Sequence, residues 1–174
     1  EAFTHIAGGN TSLKLGPVMW VKASGTWLAD ARRKSIMVPV AIAPLLDAFE
    51  KCDTRAEKAT DFIVPMEGGS ELRPSVETTI HALVPWPVVV HIHCVETVAL
   101  AVRADAKARI GERLAGLAGV EWAFIPYCRP GVPLAARIKE LTSPETNVLV
   151  LGNHGLVVAA NTVAEAGALA DRVS

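Results

Sequence analysis

Eighteen consecutive residues, Thr78 to Val95, carry no formal charge between Glu77 and Glu96, and this run limits what the chain can become. Its length matches a membrane span, but its content does not. Pro85 and Pro87 stand two apart, which no continuous helix accommodates, and His81, His91 and His93 are costly groups to place in hydrocarbon. The run therefore reads as a buried helix, a turn and a buried strand, in a protein that does not enter the membrane.

Such a run needs a core to sit in. At 174 residues the chain is one domain's worth, 1–174, and about 70% of the unfolded surface can be buried at that size. Apolar residues make up 51% of it, which excludes disorder, and with four Trp, one Tyr and four Phe the core must be built mainly from Ala, Val, Leu and Ile. A net charge of −1 argues against nucleic acid as a main partner. Cys52, Cys94 and Cys128 are odd in number and form no CxxC pair, which fits free thiols in a reducing, cytoplasmic compartment.

Helical and extended patterns alternate along the chain. Asn10–Leu15 and Val18–Ala23 read as strands around the turn Leu15-Gly16-Pro17, Ser35–Val38 as a third strand, and Val40–Phe49 as a helix after Pro39. Residues 51–60 are charged and belong on the surface, Asp61–Val64 is a further strand candidate, and Met66–Ser70 a loop. Pro74 is expected to open a helix running to Leu83. Pro87–His93 is an apolar, β-branched strand. Helical spacing follows over Glu96–Val102 and Asp105–Leu117, strand composition over Glu121–Pro126, and a helix over Val132–Leu141. Asn147–Leu151 and Leu156–Ala160 are strands joined by Gly152-Asn153-His154-Gly155, and Thr162 with Glu165 caps a closing helix. The sum is an α/β domain whose central sheet, with several strand pairs joined by tight turns, is largely antiparallel.

Residues two apart on a strand face the same side, so His91 and His93 can converge on one metal ion, a spacing that suits zinc. The pair reads equally as two hydrogen-bonded core histidines. His154 lies in an Asn-His-Gly sequence that, alone, is more often a hairpin turn than a ligand site. Both motifs, however, sit at ends of apolar strands, and three histidines with a water or carboxylate are the ligand set of a catalytic zinc. Glu77 and Glu96 are the nearby carboxylates in sequence. Glu77, at a helix start, is by itself an ordinary solvated carboxylate favoured by the helix dipole, with His81 four residues on along the same face. Gly8-Gly9-Asn10-Thr11-Ser12 and Lys22-Ala23-Ser24-Gly25-Thr26 are dense in backbone N–H and hydroxyl donors. Each alone is an ordinary turn; together with Ser75 at a helix start they offer three edges of a phosphate pocket. No nucleotide-binding fingerprint is present.

The ordered set GGNTS, KASG, PSVE, HIH and NHG resembles the class II aldolase/adducin family, which includes fuculose and rhamnulose phosphate aldolases and ribulose phosphate 4-epimerase. The wording Trp20-Val21-Lys22-Ala23-Ser24-Gly25 is similar to aldolase-like domains that some bacterial proteins fuse to a short-chain dehydrogenase. The resemblance implies a three-layer α/β/α sandwich, a homotetramer with active sites near subunit interfaces, and a bound zinc or other divalent ion. It implies His91, His93 and His154 as metal ligands and Glu77 as the catalytic carboxylate. It also implies Gly9, Asn10, Ser24, Gly25 and Ser75 as the site for a substrate phosphate. The implied reaction cleaves or forms a C–C bond in a small ketose phosphate through a metal-stabilised enediolate, with Glu77 moving the proton. No Schiff-base lysine is needed, and Lys22 reads as a loop or phosphate-side cation.

The sequence also departs from the pattern. Val76 stands where sugar phosphate aldolases often have a second serine; Glu77 stands where the 4-epimerases have Asp, which favours lyase chemistry, although related dehydratases share it. Tyr127 is the single tyrosine available as a proton donor. Two other classes compete with the aldolase. An adducin-like interaction domain would be expected to lose the three histidines, and a structural zinc would tend to use thiolates, for which Cys94 points to the wrong face.

Overall fold

The computed structural model describes residues 8–66 and 71–174. Among these, seven strands form one sheet in the order β3-β2-β1-β4-β7-β6-β5. They are β1 (Asn10–Leu15), β2 (Val18–Lys22), β3 (Met37–Ala41), β4 (Val88–Ile92), β5 (Trp122–Ile125), β6 (Val148–Leu151) and β7 (Gly155–Ala160). Every pairing except the parallel β5–β6 is antiparallel, as the tight turns required. Six α-helices cover the sheet: α1 (Ile42–Glu50), α2 (Thr78–Leu83), α3 (Val95–Ala101), α4 (Ala106–Leu114), α5 (Val132–Leu141) and α6 (Val163–Val173).

Strand alternation divides the interior into two cores. Leu149, Leu151, Val157 and Ala159 face α1, α2 and α5, packing on Leu45, Ile80, Leu134 and Ile138. Their neighbours Val148, Val150, Leu156 and Val158 face the opposite layer and meet Ala101, Ile110, Leu114 and Leu169 of α3, α4 and α6. The molecule is thus the three-layer α/β/α sandwich expected. None of the helices among the described residues is long and apolar enough to cross a membrane; the uncharged run becomes α2, a turn and β4.

Three local expectations are corrected. The third strand is Met37–Ala41 rather than Ser35–Val38, because its register on β2 pairs Met37 through Ala41 with Lys22 through Val18, and Pro39, which has no N–H to donate, is tolerated on a strand at the sheet edge. Asp61–Val64 is not a strand: Ala59–Phe62 is a 3₁₀ turn, and one isolated bridge, Val40 to Ile63, is the only pairing there among the described residues. The helix expected from Pro74 begins at Thr78. Pro74 instead bridges Ala23, and the Arg73 carbonyl accepts from the Ser24 N–H at 2.8 Å, holding this stretch extended against the loop after β2. The loop at Met66–Ser70 lies, beyond Met66, outside the described residues.

The capping box of α6 is complete. Thr162 Oγ1 accepts from the Glu165 N–H at 3.2 Å, and Glu165 Oε2 accepts from the Thr162 N–H at 3.1 Å. Thr162→Ala is expected to cost about 1 kcal/mol, read as a fall of roughly 2–4 °C in the thermal midpoint by calorimetry.

Candidate active site

β4 lies mid-sheet, between β1 and β7, and its register builds the site. Asn10 pairs with His91 and Ser12 with Val89 across β1–β4, so Asn10, Ser12 and His91 all face the layer that holds α2. On the other side Ile92 pairs with Leu156, which brings the β6–β7 turn and His154 beside the end of β4. That turn needs a left-handed residue, supplied by Asn153 at φ 53°.

The three histidines converge. Ligand-type nitrogens of His91, His93 and His154 lie within 4.8 Å of one another, and His91 and His93 Nε2 are 2.9 Å apart. The Leu156 carbonyl accepts a hydrogen bond from His91 Nδ1 at 3.0 Å, which leaves Nε2 with its lone pair turned toward the other two rings. Burial pushes His91 down to about 4, so this imidazole is neutral at physiological pH and able to ligate. Gly155 makes the convergence possible. A Cβ there would stand 2.6 Å from the Ile92 carbonyl and 2.8 Å from the His93 ring.

Glu77 closes the group. It ends the turn before α2, is buried, and places Oε2 3.5 Å from His91 Nε2 and Oε1 3.3 Å from His154 Nε2. Asn10 Nδ2 donates to Oε2 at 2.9 Å, whereas Oε1 has no hydrogen-bond partner among the described residues. A buried acceptor left without a donor costs about 1–3 kcal/mol. An orphaned carboxylate oxygen beside a cluster of three imidazoles is what a divalent cation would satisfy, and the donor set fits zinc chemistry. Glu96, the other carboxylate considered, is not in the group. Cys94 turns its thiol to Thr97 Oγ1 at 2.8 Å in the opposite core, so it is no ligand.

The expected phosphate residues divide. Ser24 and Ser75 line one open cavity of about 600 Å³ together with Lys58, Thr60 and Arg73, whose two cationic side chains sequence reasoning missed. The available signals were the arginine directly before the Pro74-Ser75-Val76-Glu77 motif and a lysine in the charged segment. Gly25, in the left-handed region at φ 73°, shapes the turn beside Ser24, and Gly9 at φ 71° does so before Asn10. Asn10 faces the carboxylate and also donates to Ser75 Oγ at 3.1 Å, so it links the phosphate side to the histidines. Lys22 is buried and donates to the Thr26 carbonyl at 2.7 Å, holding the Ser24 turn from below; burial lowers its pKa. On the far side, His93 and His154 border an apolar cavity of about 370 Å³ lined by Val95, Val98, Ala99 and Val102. Tyr127 is exposed. His5 lies outside the described residues.

Comparison with known proteins bears on the family and the fold. The family model described as Class II Aldolase and Adducin N-terminal domain matches residues 1–173. A Bacillus subtilis (strain 168) protein named "Uncharacterized oxidoreductase YuxG" is 32% identical over 164 residues, covering 86% of this chain and 23% of that protein. The chain therefore spans about a quarter of that relative. Among solved structures, the N-terminal class II aldolase domain of a conserved protein from Thermoplasma acidophilum is 27% identical with a TM-score of 0.78, covering 98% of this chain and 80% of that one. A sugar-phosphate aldolase from Thermotoga maritima shares the fold, with 17% identity and a TM-score of 0.70 over 98% and 81% of the two chains.

Two outcomes follow from this geometry. Gly155→Ala is expected to displace the His91 and His93 rings and weaken zinc binding roughly tenfold or more in chelator competition, while Gly167→Ala, with open space around it, leaves binding unchanged. In the metal-free protein, burial holds His81 and His91 below their ordinary value of 6.5. The unfolded chain then binds protons first, so stability is full above pH 6.5 and falls as the pH drops from 6.5 toward about 4, by up to about 1.4 kcal/mol per pH unit per histidine. Urea melts across that range check the slope.

Proposed function

This chain belongs to the class II aldolase and adducin family, and we propose that it is a zinc-dependent lyase that cleaves or forms a C–C bond in a small ketose phosphate. The observation that carries this reading is the convergence of His91, His93 and His154 beside buried Glu77, whose Oε1 has no hydrogen-bond partner among the described residues and lies 3.3 Å from His154 Nε2. His91, His93 and His154 would hold the ion, with Glu77 able to complete the set. The bound ion supplies Lewis-acid stabilisation of negative charge developing on substrate oxygens as the bond breaks.

The chain's own residues do the rest. Glu77 Oε1 has no hydrogen-bond partner among the described residues, whereas Oε2 accepts from Asn10, so Oε1 is the atom that takes the proton from the substrate and returns it to carbon. Asn10 holds Oε2 and keeps the carboxylate from rotating away. Ser24, Gly25 and Ser75 bound the phosphate end, while Gly9 shapes the turn before Asn10, whose amide is committed to Glu77 and Ser75. Lys58 and Arg73, in the same cavity as Ser24 and Ser75, offset the dianion's charge. The β2 loop is pinned by Lys22, so these donors are set before substrate arrives.

An adducin-like interaction domain has no use for three convergent imidazoles and an orphaned carboxylate. The oxidoreductase name of the Bacillus subtilis relative belongs to a protein of which this chain spans 23% and carries no weight for this domain. A homotetrameric, cytoplasmic assembly is part of the reading; Val95 and Val102, 55% and 57% exposed beside the His93 and His154 cavity, support an interface near the site.

The test is metal analysis with retro-aldol assays on a panel of ketose 1-phosphates. Zinc-reconstituted protein is expected to hold one ion per chain and to cleave at least one of them. Glu77→Gln is expected to lower kcat by roughly 10²- to 10⁴-fold, the usual share of a general base. Protein that takes up no metal after reconstitution, or a Glu77→Gln variant of undiminished activity, contradicts the proposal.

A further inference from the structure

Behind Glu77 runs a buried chain of polar side chains that the reaction as described does not use. His81, 1% exposed, sits on α2 with its Nδ1 2.8 Å from Ser12 Oγ and its Nε2 hydrogen-bonded to Asn10 Oδ1. Asn10 in turn donates through Nδ2 to Glu77 Oε2 and Ser75 Oγ. Ser12 and Asn10, themselves 3% and 5% exposed, are two apart on β1 and therefore face α2 together.

The donor and acceptor capacities fix the direction of every bond. An amide oxygen only accepts, so His81 Nε2 carries the hydrogen; Nδ1 is then an acceptor, and Ser12 is the donor to it. With its oxygen held by His81, the Asn10 amide cannot flip, and its NH₂ must face the carboxylate. Flipped, it would set an amide oxygen against Glu77 Oε2, two acceptors with no proton between them. Oε2, which also lies 3.5 Å from His91 Nε2, is thus a permanent acceptor, and Oε1, 3.3 Å from His154 Nε2, is the oxygen left without a hydrogen bond among the described residues. We propose that Ser12 and His81 are positioning residues that fix the Asn10 amide and, through it, decide which oxygen of Glu77 exchanges the proton. This inference rests on the lyase reading for its consequence, although not for its geometry. His81 stays neutral because burial holds its pKa well below the ordinary value, consistent with a fixed Nε2–H tautomer.

Two measurements test it. In metal-free protein, ¹⁵N chemical shifts of the His81 ring are expected to show a protonated Nε2 and a bare Nδ1; the opposite tautomer, or a mixture, overturns the proposal whether or not the protein is a lyase. In zinc-loaded enzyme, His81→Leu removes both bonds and is expected to lower kcat roughly 10- to 100-fold with KM for a cleaved ketose phosphate nearly unchanged. His81→Gln, whose amide reaches the Nε2 position and can still donate to Asn10, is expected to recover most of that loss. A His81→Gln variant as impaired as His81→Leu, or a loss carried in KM, overturns it. If His81→Leu does not fold, the ring tautomer and the His81→Gln kinetics still decide. If wild-type enzyme cleaves nothing, the lyase reading fails, while the tautomer measurement judges the positioning network on its own.

Discussion

Burying a carboxylate is among the costlier things a fold can do, and it is tolerated only with partners in place. Glu77 is buried, and its two oxygens are treated unequally: Asn10 donates to one, and the other, beside His154, has no hydrogen-bond partner among the described residues. Much of the surrounding architecture is intelligible as the scaffold for that inequality. β4 must sit between β1 and β7 so that Asn10 and His91 are cross-strand neighbours and His154 arrives from the next turn. α2 must lie on the same side, carrying His81 beneath Asn10. The loop after β2 must close on Pro74 so that Ser75 and Glu77 leave the sheet at a fixed angle.

The two-core sandwich gives this polar vein its rigidity. Strand alternation sends one set of aliphatic side chains into each layer, and the vein of Asn10, Ser12, Ser75, Glu77, His81 and His91 runs along the α2 side, enclosed by packed apolar residues. In such surroundings a hydrogen bond is stronger and an unmet one costlier, so the side chains are held in one arrangement before any ligand binds. The site then opens on two chemically different spaces. One is polar and charged, with Ser24, Ser75, Lys58, Arg73 and the carboxylate of Glu57, which pairs with Arg129; the other is apolar, beside α3.

Much of this was legible in the amino-acid sequence because strand chemistry is periodic. The apolar runs around His91, His93 and His154 lead directly to β4 and β7, and the two-residue spacing puts His91 and His93 on one side; that His154 joins them was implied by the family resemblance and not by spacing. What sequence could not give were arrangements decided by tertiary pairing. Pro74 looks like a helix start, but its bridge to Ala23 draws it into extended structure and delays α2 to Thr78. Asp61–Val64 has strand composition but finds only one bridge to β3 among the described residues. Asn10 carries polar chemistry suited to a phosphate; only the register of β1 on β4 shows that its amide is committed to Glu77 and Ser75. Lys58 and Arg73 come from surface-like segments, and nothing local marks them as sharing a cavity with Ser24.

The central claim is that Glu77 and three histidines from two strand ends form one divalent-metal site. Anomalous diffraction at the zinc edge, from crystals of zinc-reconstituted protein, tests it most directly. The account predicts a single strong peak per chain, enclosed by the side-chain nitrogens of His91, His93 and His154. A peak bound elsewhere, at the cysteines or at His81, or no peak among the three rings in fully reconstituted protein, would contradict it.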